Sequence, residues 1–367
     1  MKIECIKEKL SEVLGKAEKI ATKNPTLPAL SGVYLKAENN ILTIRTTNLD
    51  LGFLTTIPVK VIEAGEVVVP AQIISSFLNS LPKEKSILIS STGQTLLIKT
   101  GNTETNIKTL PTEDFPIIPS LINEENFSLP VKDFILGLKS VNYAAAIGSM
   151  KPELSSVYIY HDNDFLVFAA TDSFRLAEKK IKIKQTPNFK YILIPQRNIL
   201  EIIRMFDSIE DDIFLSIQDN QIAFFGGGIC LTSRIIEGVF PDYKQIIPKE
   251  ISTKAIILKQ DLNNALKTAL IFSDSFNQLK LNLSKNSKHF EIESKNTTVG
   301  ENKYKVDAVI EGEDLTININ QKYLTDSFAS VPGDTICLKF NGQAKPIIVE
   351  GVGEKSFLYL VMPMNKS

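Results

Sequence analysis

The chain has 367 residues, with 41 lysines and arginines against 42 aspartates and glutamates, a net charge of −1 and a pI near 6.3. Hydrophobic residues at 43% and charged residues at 23% are ordinary for a globular chain. Bulk charge therefore argues against a chain whose whole surface is matched to nucleic acid or to a membrane, and leaves only a local basic stripe to look for. Cys5, Cys230 and Cys337 lie far apart with no CxxC pair, which suggests neither a zinc site nor a disulfide framework and fits a reducing compartment. The N-terminal MKIECIKEKL has no apolar core and no run approaches ~18 apolar residues, so a cytoplasmic location is expected.

The length allows two or three domains, and an internal repeat decides for three. An apolar strand, a turn and an amphipathic helix recur at Val67–Leu81, Leu193–Phe206 and Ile317–Val331, with turns at Pro70, Pro195 and Asn320 spaced 125 residues apart. That period is too long for a solenoid and suits a repeated domain. Boundaries are expected near 125 and 250, giving domains 1–125, 126–250 and 251–367.

Each repeat opens with a helix. In the first, Leu10, Val13, Leu14, Ala17, Ile20 and Ala21 form an apolar stripe. The second is expected over Val131–Tyr143, with Phe134, Leu138 and Val141 inward, and the third over Gln260–Phe272, with Leu262, Ala265, Leu266, Ala269 and Leu270 inward. Hairpins follow, from period-two alternation about Asn39-Asn40, Asp162-Asn163 and Lys285-Asn286. Further strands are expected at Phe53–Val61, Arg175–Lys182 and Lys303–Glu311. After each recurring strand–turn–helix come second strand sets at Ser86–Leu110, Asp212–Ile236 and Asp334–Met362. The fold class is α+β: three similar domains, each two helix-plus-antiparallel-sheet halves. Three domains strung together with no joint geometry is the alternative.

No constellation for chemistry emerges. His161 and His289 sit at predicted hairpins. Gly226-Gly227-Gly228 opens no helix and lacks the following lysine of a phosphate loop, so it reads as a hairpin turn. Ser80 and Lys83 form an SxxK across Pro82, and Asp172 has no evident partner and suits a turn. No cofactor or metal is expected, and the reading is non-enzymatic.

Cations gather on the helices. Lys9, Lys16 and Lys23 fall seven apart on one line with Lys19 nearby, and Lys132, Lys139, Lys259, Lys267 and Lys322 lie on other helices. On the helix after Pro195, Ile199, Leu200, Ile202, Ile203 and Phe206 share one side, and Arg197 and Arg204 share the other with Glu201 beside them. The register matches Arg197 to Gln72 and Lys322, and Arg204 to Asn79 and Ala329, so the basic surface is uneven. Such a surface contacts phosphates without reading sequence, and no aromatic residues interleave for base stacking.

Four motifs in register on this repeat, Pro25–Leu30 (PTLPAL), Ala170–Ala177 (ATDSFRLA), Thr232–Tyr243 (TSRIIEGVFPDY) and Tyr359–Met364 (YLVMPM), resemble the bacterial sliding clamps, the beta subunits of DNA polymerase III. The resemblance covers the whole chain. It implies a DNA-clamp fold in a head-to-tail homodimer, a ring with helices lining the hole around duplex DNA, and a processivity role with no catalysis. Implied partners are the DNA polymerase III catalytic subunit, the clamp loader, and other polymerases and repair proteins. Each would insert a peptide at Leu154, Thr171, Ser173, Phe174, Arg175, Leu176, Pro241, Ile246, Phe276, Asn320, Tyr323, Val361, Met362, Pro363 and Met364. Apolar and methionine side chains give such a site an adaptable surface. Matching places Lys9, Lys16, Lys23, Lys139, Arg197, Arg204 and Lys267 toward DNA and Ile107, Ile271 and Phe272 at the ring-closing interface. The chain departs from the family pattern at Ser173-Phe174, where Gly-His is common, and at Gln245 and Asn24, where basic residues are common.

Overall fold

The computed structural model describes residues 1–82, 85–117, 127–148, 150–218, 220–285 and 289–364. The expected boundary at 125, Lys83, Asn286 of the third turn, and the tail residues Asn365, Lys366 and Ser367 lie outside the described residues. Among the described residues the α-helices are α1 (Lys7–Ile20), α2 (Ala71–Ser80), α3 (Val131–Val141), α4 (Gln196–Phe206), α5 (Lys259–Ile271) and α6 (Gln321–Asp326). Each recurring strand–turn–helix is present: Gly65–Pro70 into α2, Tyr191–Pro195 into α4 and Leu315–Asn320 into α6. The third helix is the shortest, at six residues.

The chain divides into two compact units that do not follow the repeat: Met1–Lys132 with Arg197–Ile235, and Asp133–Gln196 with Ile236–Ser367. The middle repeat is shared because a strand of each of its halves pairs with a neighbouring repeat. In the first unit Ile229–Arg234 pairs antiparallel with Leu51–Pro58, joining Phe127–Pro130, Asp212–Gln218 and Gln221–Gly226 to the strands of the first repeat in an eight-stranded sheet. This unit also holds a five-stranded sheet, whose edge strand Glu104–Lys108 has one partner among the described residues, Thr95–Lys99. In the second unit Arg175–Lys182 pairs antiparallel with Phe357–Val361, and a twelve-stranded sheet results.

Local sequence explains the elements. Asn39 and Asn40 take φ of 50° and 59°, as a two-residue turn between right-twisted strands requires, and asparagine tolerates this conformation better than most residues. Gly227 (φ +56°) and Gly228 (φ +74°) turn the hairpin between Gln221–Gly226 and Ile229–Arg234, which settles the glycine triplet as a turn. A β-carbon on Gly227 would also meet Ile209 Cδ1 at 2.6 Å. Gly137 on α3 has another reason: a β-carbon there would sit 2.4 Å from the Phe168 ring, so glycine lets the helix lie close on its sheet.

Leu10, Leu14, Ala17 and Ile20 of α1 are buried, as the stripe predicts. Two apolar assignments are corrected. Leu200 of α4 is 43% exposed, because Ile199, Ile202, Met205 and Phe206 make a narrower stripe that already covers the core. Leu270 of α5 also points outward, while Leu262, Ala265, Leu266 and Ala269 are buried. The second hairpin turns one residue later than expected, at Asn163-Asp164, since Asp162 still pairs with Phe165. No helix among the described residues is long and apolar enough to cross a membrane.

Candidate peptide-binding cavity and cationic helices

Four segments of the second unit enclose a cavity of about 320 Å³: Lys151–Leu154, Thr171–Leu176, Pro241–Ile246 and Leu360–Met362. Its floor is core. Leu176, Tyr243 and Leu360 belong to a buried cluster with Ala169, Leu193, Phe240 and Ile348. The sequence around Asp172 builds one rim. The Asp172 carboxylate Oδ1 accepts from the amides of Phe174 (2.9 Å) and Arg175 (3.0 Å), and Thr171 Oγ1 accepts from the Ser173 amide (3.1 Å). These bonds hold Ser173 at φ +78°, the left-handed region that favours glycine. The turn presents Phe174 outward, 59% exposed.

Arg175 ties this rim to α6. Its Nε donates to Asp172 Oδ2 (2.9 Å), its Nη1 donates to Asp326 Oδ2 (2.5 Å), and its Cζ lies 4.7 Å from the centre of the Tyr323 ring. Burial works against its charge, but the neighbouring Tyr359, Asp326 and Asp172 outweigh that and hold its pKa above the ordinary value. Asp172 therefore has a partner after all, three residues on. On α6, Asn320 Oδ1 caps the helix by accepting from the Tyr323 amide (3.2 Å), and its Nδ2 donates to the Phe276 carbonyl (3.0 Å). The Phe174 and Tyr323 rings lie 6.5 Å apart, 21° from parallel. The C-terminal segment closes the arrangement: the Met362 amide donates to the Phe174 carbonyl (2.8 Å) and the Met364 amide to the Asn318 carbonyl (2.8 Å).

Nine expected residues line the cavity itself: Leu154, Thr171, Ser173, Phe174, Arg175, Leu176, Pro241, Ile246 and Met362. Tyr323, Asn320, Phe276 and Met364 connect to it through the contacts above. Val361 is buried in its strand, and Pro363 is half-buried between the two methionines. Sequence reasoning missed Lys151, Glu153, Asp242, Tyr243 and Leu360. Tyr243 is held from behind: its hydroxyl donates to the Glu178 carboxylate and lies 2.9 Å from the Tyr160 hydroxyl. Burial and the Glu178 charge push the Tyr243 hydroxyl far above its usual range. Gln245 is engaged locally, donating to Asp242 Oδ2 (2.7 Å).

The expected cations are on helices or just beyond them. Lys9, Lys139 and Lys267 are exposed, and Lys23 lies past the end of α1. Others are engaged. Lys16 pairs with Glu12 (3.2 Å), Arg204 with Glu201 (2.8 Å) and Arg197 with Asp50 (2.9 Å). Asn24 accepts from the amides of Thr26 (2.9 Å) and Leu27 (3.1 Å), a turn role that a basic side chain could not fill. Ile107 is only 5% exposed and faces the core of its own sheet, whereas Ile271 is exposed and Phe272 half-buried. Among the described residues no group of His, Cys, Asp and Glu could hold a metal.

The sequence matches three family models in order: the DNA polymerase III beta subunit N-terminal domain over 1–119, its central domain over 128–242 and its C-terminal domain over 244–365. The chain belongs to the DNA polymerase III beta subunit family. The beta sliding clamp of Staphylococcus epidermidis is 27% identical over 357 residues, covering 95% of this chain and 94% of that protein. The sliding clamp of Pseudomonas aeruginosa is 25% identical with a TM-score of 0.93, and that of Bacillus subtilis is 23% identical with a TM-score of 0.95, each covering 100% of both chains. A Pseudomonas aeruginosa DnaN clamp solved bound to griselimycin is 24% identical with a TM-score of 0.94 over 100% of both chains. The three-domain clamp fold expected from the repeat is therefore the fold of the chain. Beta subunits of this family are non-catalytic processivity clamps for DNA polymerase, in keeping with the lack of any catalytic constellation in the sequence.

Proposed function

We propose that two copies of this chain close into a ring around duplex DNA, and that the cavity tethers a DNA polymerase by a short apolar peptide segment. The observation that carries this is the cavity itself, apolar, open to one side and backed by core, on a chain of the beta subunit family. The domains are then 1–125, 126–250 and 251–367. The DNA polymerase III catalytic subunit, the clamp loader, and other polymerases and repair proteins would share the cavity and so compete for it. The work is done in the cytoplasm.

Ring closure is best served by strand edges. Among the described residues Glu104–Lys108 has one partner, and Gly300–Gly312 pairs with Thr253–Leu258 only over residues 308–312, leaving 300–307 unpaired on that side. Free edges of two copies pair head to tail and remove an aggregation liability. Because Ile107 faces its own core, main-chain bonds and the outward Asn106 would serve this contact, with Ile271 and Phe272 packing beside it. Lys9, Lys16, Lys23, Lys139, Lys267, Arg197 and Arg204 would contact phosphates. The paired cations among them exchange a carboxylate for a phosphate at small cost, since exposed ion pairs are worth about 0–1 kcal/mol.

The test is topological. Loaded onto nicked circular DNA, the protein should stay bound through a salt wash and leave once the circle is cut. Equal retention on circular and linear DNA refutes the ring, and a particle of 40.8 kDa at every concentration refutes the dimer.

A further inference from the structure

The cavity and the surface beside it are held in two different ways. The side formed by Leu176, Tyr243 and Leu360 is packed into a hydrophobic cluster, which fixes it without further help. Tyr323, which lies beyond the lining and faces Phe174 of the rim, belongs to α6, a helix of six residues. A helix this short has almost no stability of its own. Tyr323 is instead held by groups from elsewhere: the Tyr359 hydroxyl donates to its carbonyl (2.6 Å), and the Arg175 guanidinium lies against its ring.

Arg175 cannot take that position on its own. Its side chain is 9% exposed, and Asp172 engages only Nε. The bond that sets the plane of the guanidinium is Nη1 to Asp326, a residue at the end of α6 that does not line the cavity. Two carboxylates on different edges of one guanidinium fix its plane as well as its place. Asp326 thus closes a loop of contacts: from α6, through Arg175, back to the Tyr323 ring on the same helix, with Phe174 across the gap at 6.5 Å.

Resting on the peptide-tether reading, we infer that Asp326 is a positioning residue. Through Arg175 it sets the separation of Phe174 and Tyr323, and so governs whether a partner peptide longer than the cavity can extend over that gap. The class of ligand it favours is a peptide with bulky apolar residues for the cavity and flanking residues that pack over Tyr323. Removing Asp326 leaves the floor of Leu176, Tyr243 and Leu360 in place and loosens the Arg175 side, over which the extension runs.

Two probes separate these effects. Acetyl-leucyl-phenylalanine amide is sized for the cavity, and longer peptides carry the same pair extended by four residues on either side. On the unaltered dimer the better long peptide should bind more tightly than the short probe. In Asp326→Asn, which keeps the shape and removes the charge, the long peptide should lose about tenfold in affinity while the short probe changes by less than about twofold. Asp326→Glu should recover most of that loss, which a merely structural role would not predict for a longer side chain. If Asp326→Asn folds poorly, as a thermal scan would show, Tyr323→Ala gives the same comparison and should bring the long peptide down to the short probe's affinity. Equal loss for both probes, or loss for neither, overturns the assignment. So does a long peptide that keeps its advantage in Tyr323→Ala. If no probe binds the unaltered protein, the tether reading itself falls, a different result from a normal protein with an insensitive variant.

Discussion

Two strand seams carry the sheets from one repeat to the next, and they are built differently. The first, Ile229–Arg234 against Leu51–Pro58, pairs Ile229 with Thr55, Cys230 with Leu54, Leu231 with Phe53, Thr232 with Gly52 and Ser233 with Leu51. Its buried polar groups are hydroxyls bonded to carbonyls, Thr55 to Gly228 (2.8 Å) and Thr232 to Gly52 (3.3 Å). The second seam has the same length but places Arg175, Glu178 and Lys179 opposite Val361, Leu358 and Phe357. All three charged side chains are largely buried, and each is bonded to another segment: Arg175 to α6, Glu178 to Tyr243, Lys179 to Ser356 (2.6 Å). Hydroxyls satisfy a seam cheaply. Buried charges do not, and replacing such groups by apolar ones is often neutral or stabilising. The costly groups occur at the seam that borders the cavity: Arg175 lines it and Glu178 bonds its wall residue Tyr243. A local departure from the least expensive packing is what a working site looks like.

Breaking the second seam should therefore cost more than breaking the first. Arg175→Ala leaves Asp172 and Asp326 without their cation and is expected to lower stability by about 3 kcal/mol, as for other buried pairs. Thr232→Val at the first seam should cost only about 1 kcal/mol. Calorimetric scans of the two variants, read on the transition that each one moves, make the comparison. Equal shifts would mean that the charges add nothing beyond ordinary hydrogen bonding.

Truncation sharpens it next. Removing residues 362–367 deletes the Met362 and Met364 amide bonds but spares the strand, whose last pairs, at Val361, are with Arg175 and Ile347. Peptide affinity should fall about thirtyfold, as for loss of a central contact of an interface. The dimer should persist in size-exclusion chromatography. A monomer would show that the segment supports the fold and not only the cavity.

Lys179 offers a smaller effect of opposite sign. Burial lowers its pKa, so at neutral pH the protonated lysine is a net cost to folding. Lys179→Met should raise stability by about 1 kcal/mol. The advantage should shrink as pH climbs and be lost above the unfolded lysine value near ~10.4, where the wild-type group is neutral in both states. A gain that is constant from pH 7 to 10 would point to packing and not to charge.

The seams also show what a single sequence reveals. Periodicity located the strands and helices, and Asn39-Asn40 and the glycine triplet gave their turns, because these signals lie within a few residues of each other. The cavity was legible only in part. Ala170–Ala177 and Tyr359–Met364 stood out as motifs, yet the bonds around the cavity join Arg175 to Asp326, Tyr243 to Glu178 and Tyr160 to Tyr243, residues 151, 65 and 83 apart. No local pattern marks such pairs. Leu200 and Leu270 failed for a related reason. A helical wheel gives the apolar side, but how much of that side is covered depends on the partner surface. Arg197 likewise looked like a free cation until the fold brought Asp50 to it.

The smallest effect tests whether charge that is exposed, and not buried at a seam, behaves as ordinary surface charge. Across the adjacent strands Gln278–Leu283, His289–Asn296 and Gly300–Gly312, Glu293 bridges Lys280 (3.1 Å) and Lys303 (3.0 Å). Partial burial alone would raise its pKa, but the bonds from Lys303 and Lys280 dominate and hold it below the usual carboxylate range. A carboxylate with a depressed folded pKa adds stability that is present above the unfolded value near ~4.3 and lost as pH falls through the folded value. Glu293→Gln should therefore cost a few tenths of a kcal/mol at neutral pH, about what half-exposed pairs contribute. Unfolding scans of the variant and the wild type should converge once pH falls below the folded value, and in high salt. A cost above about 2 kcal/mol that survives 1 M salt would place Glu293 with Arg175 and Glu178, as a charge the sheet depends on, and would erase the distinction between the seam beside the cavity and the rest of the surface.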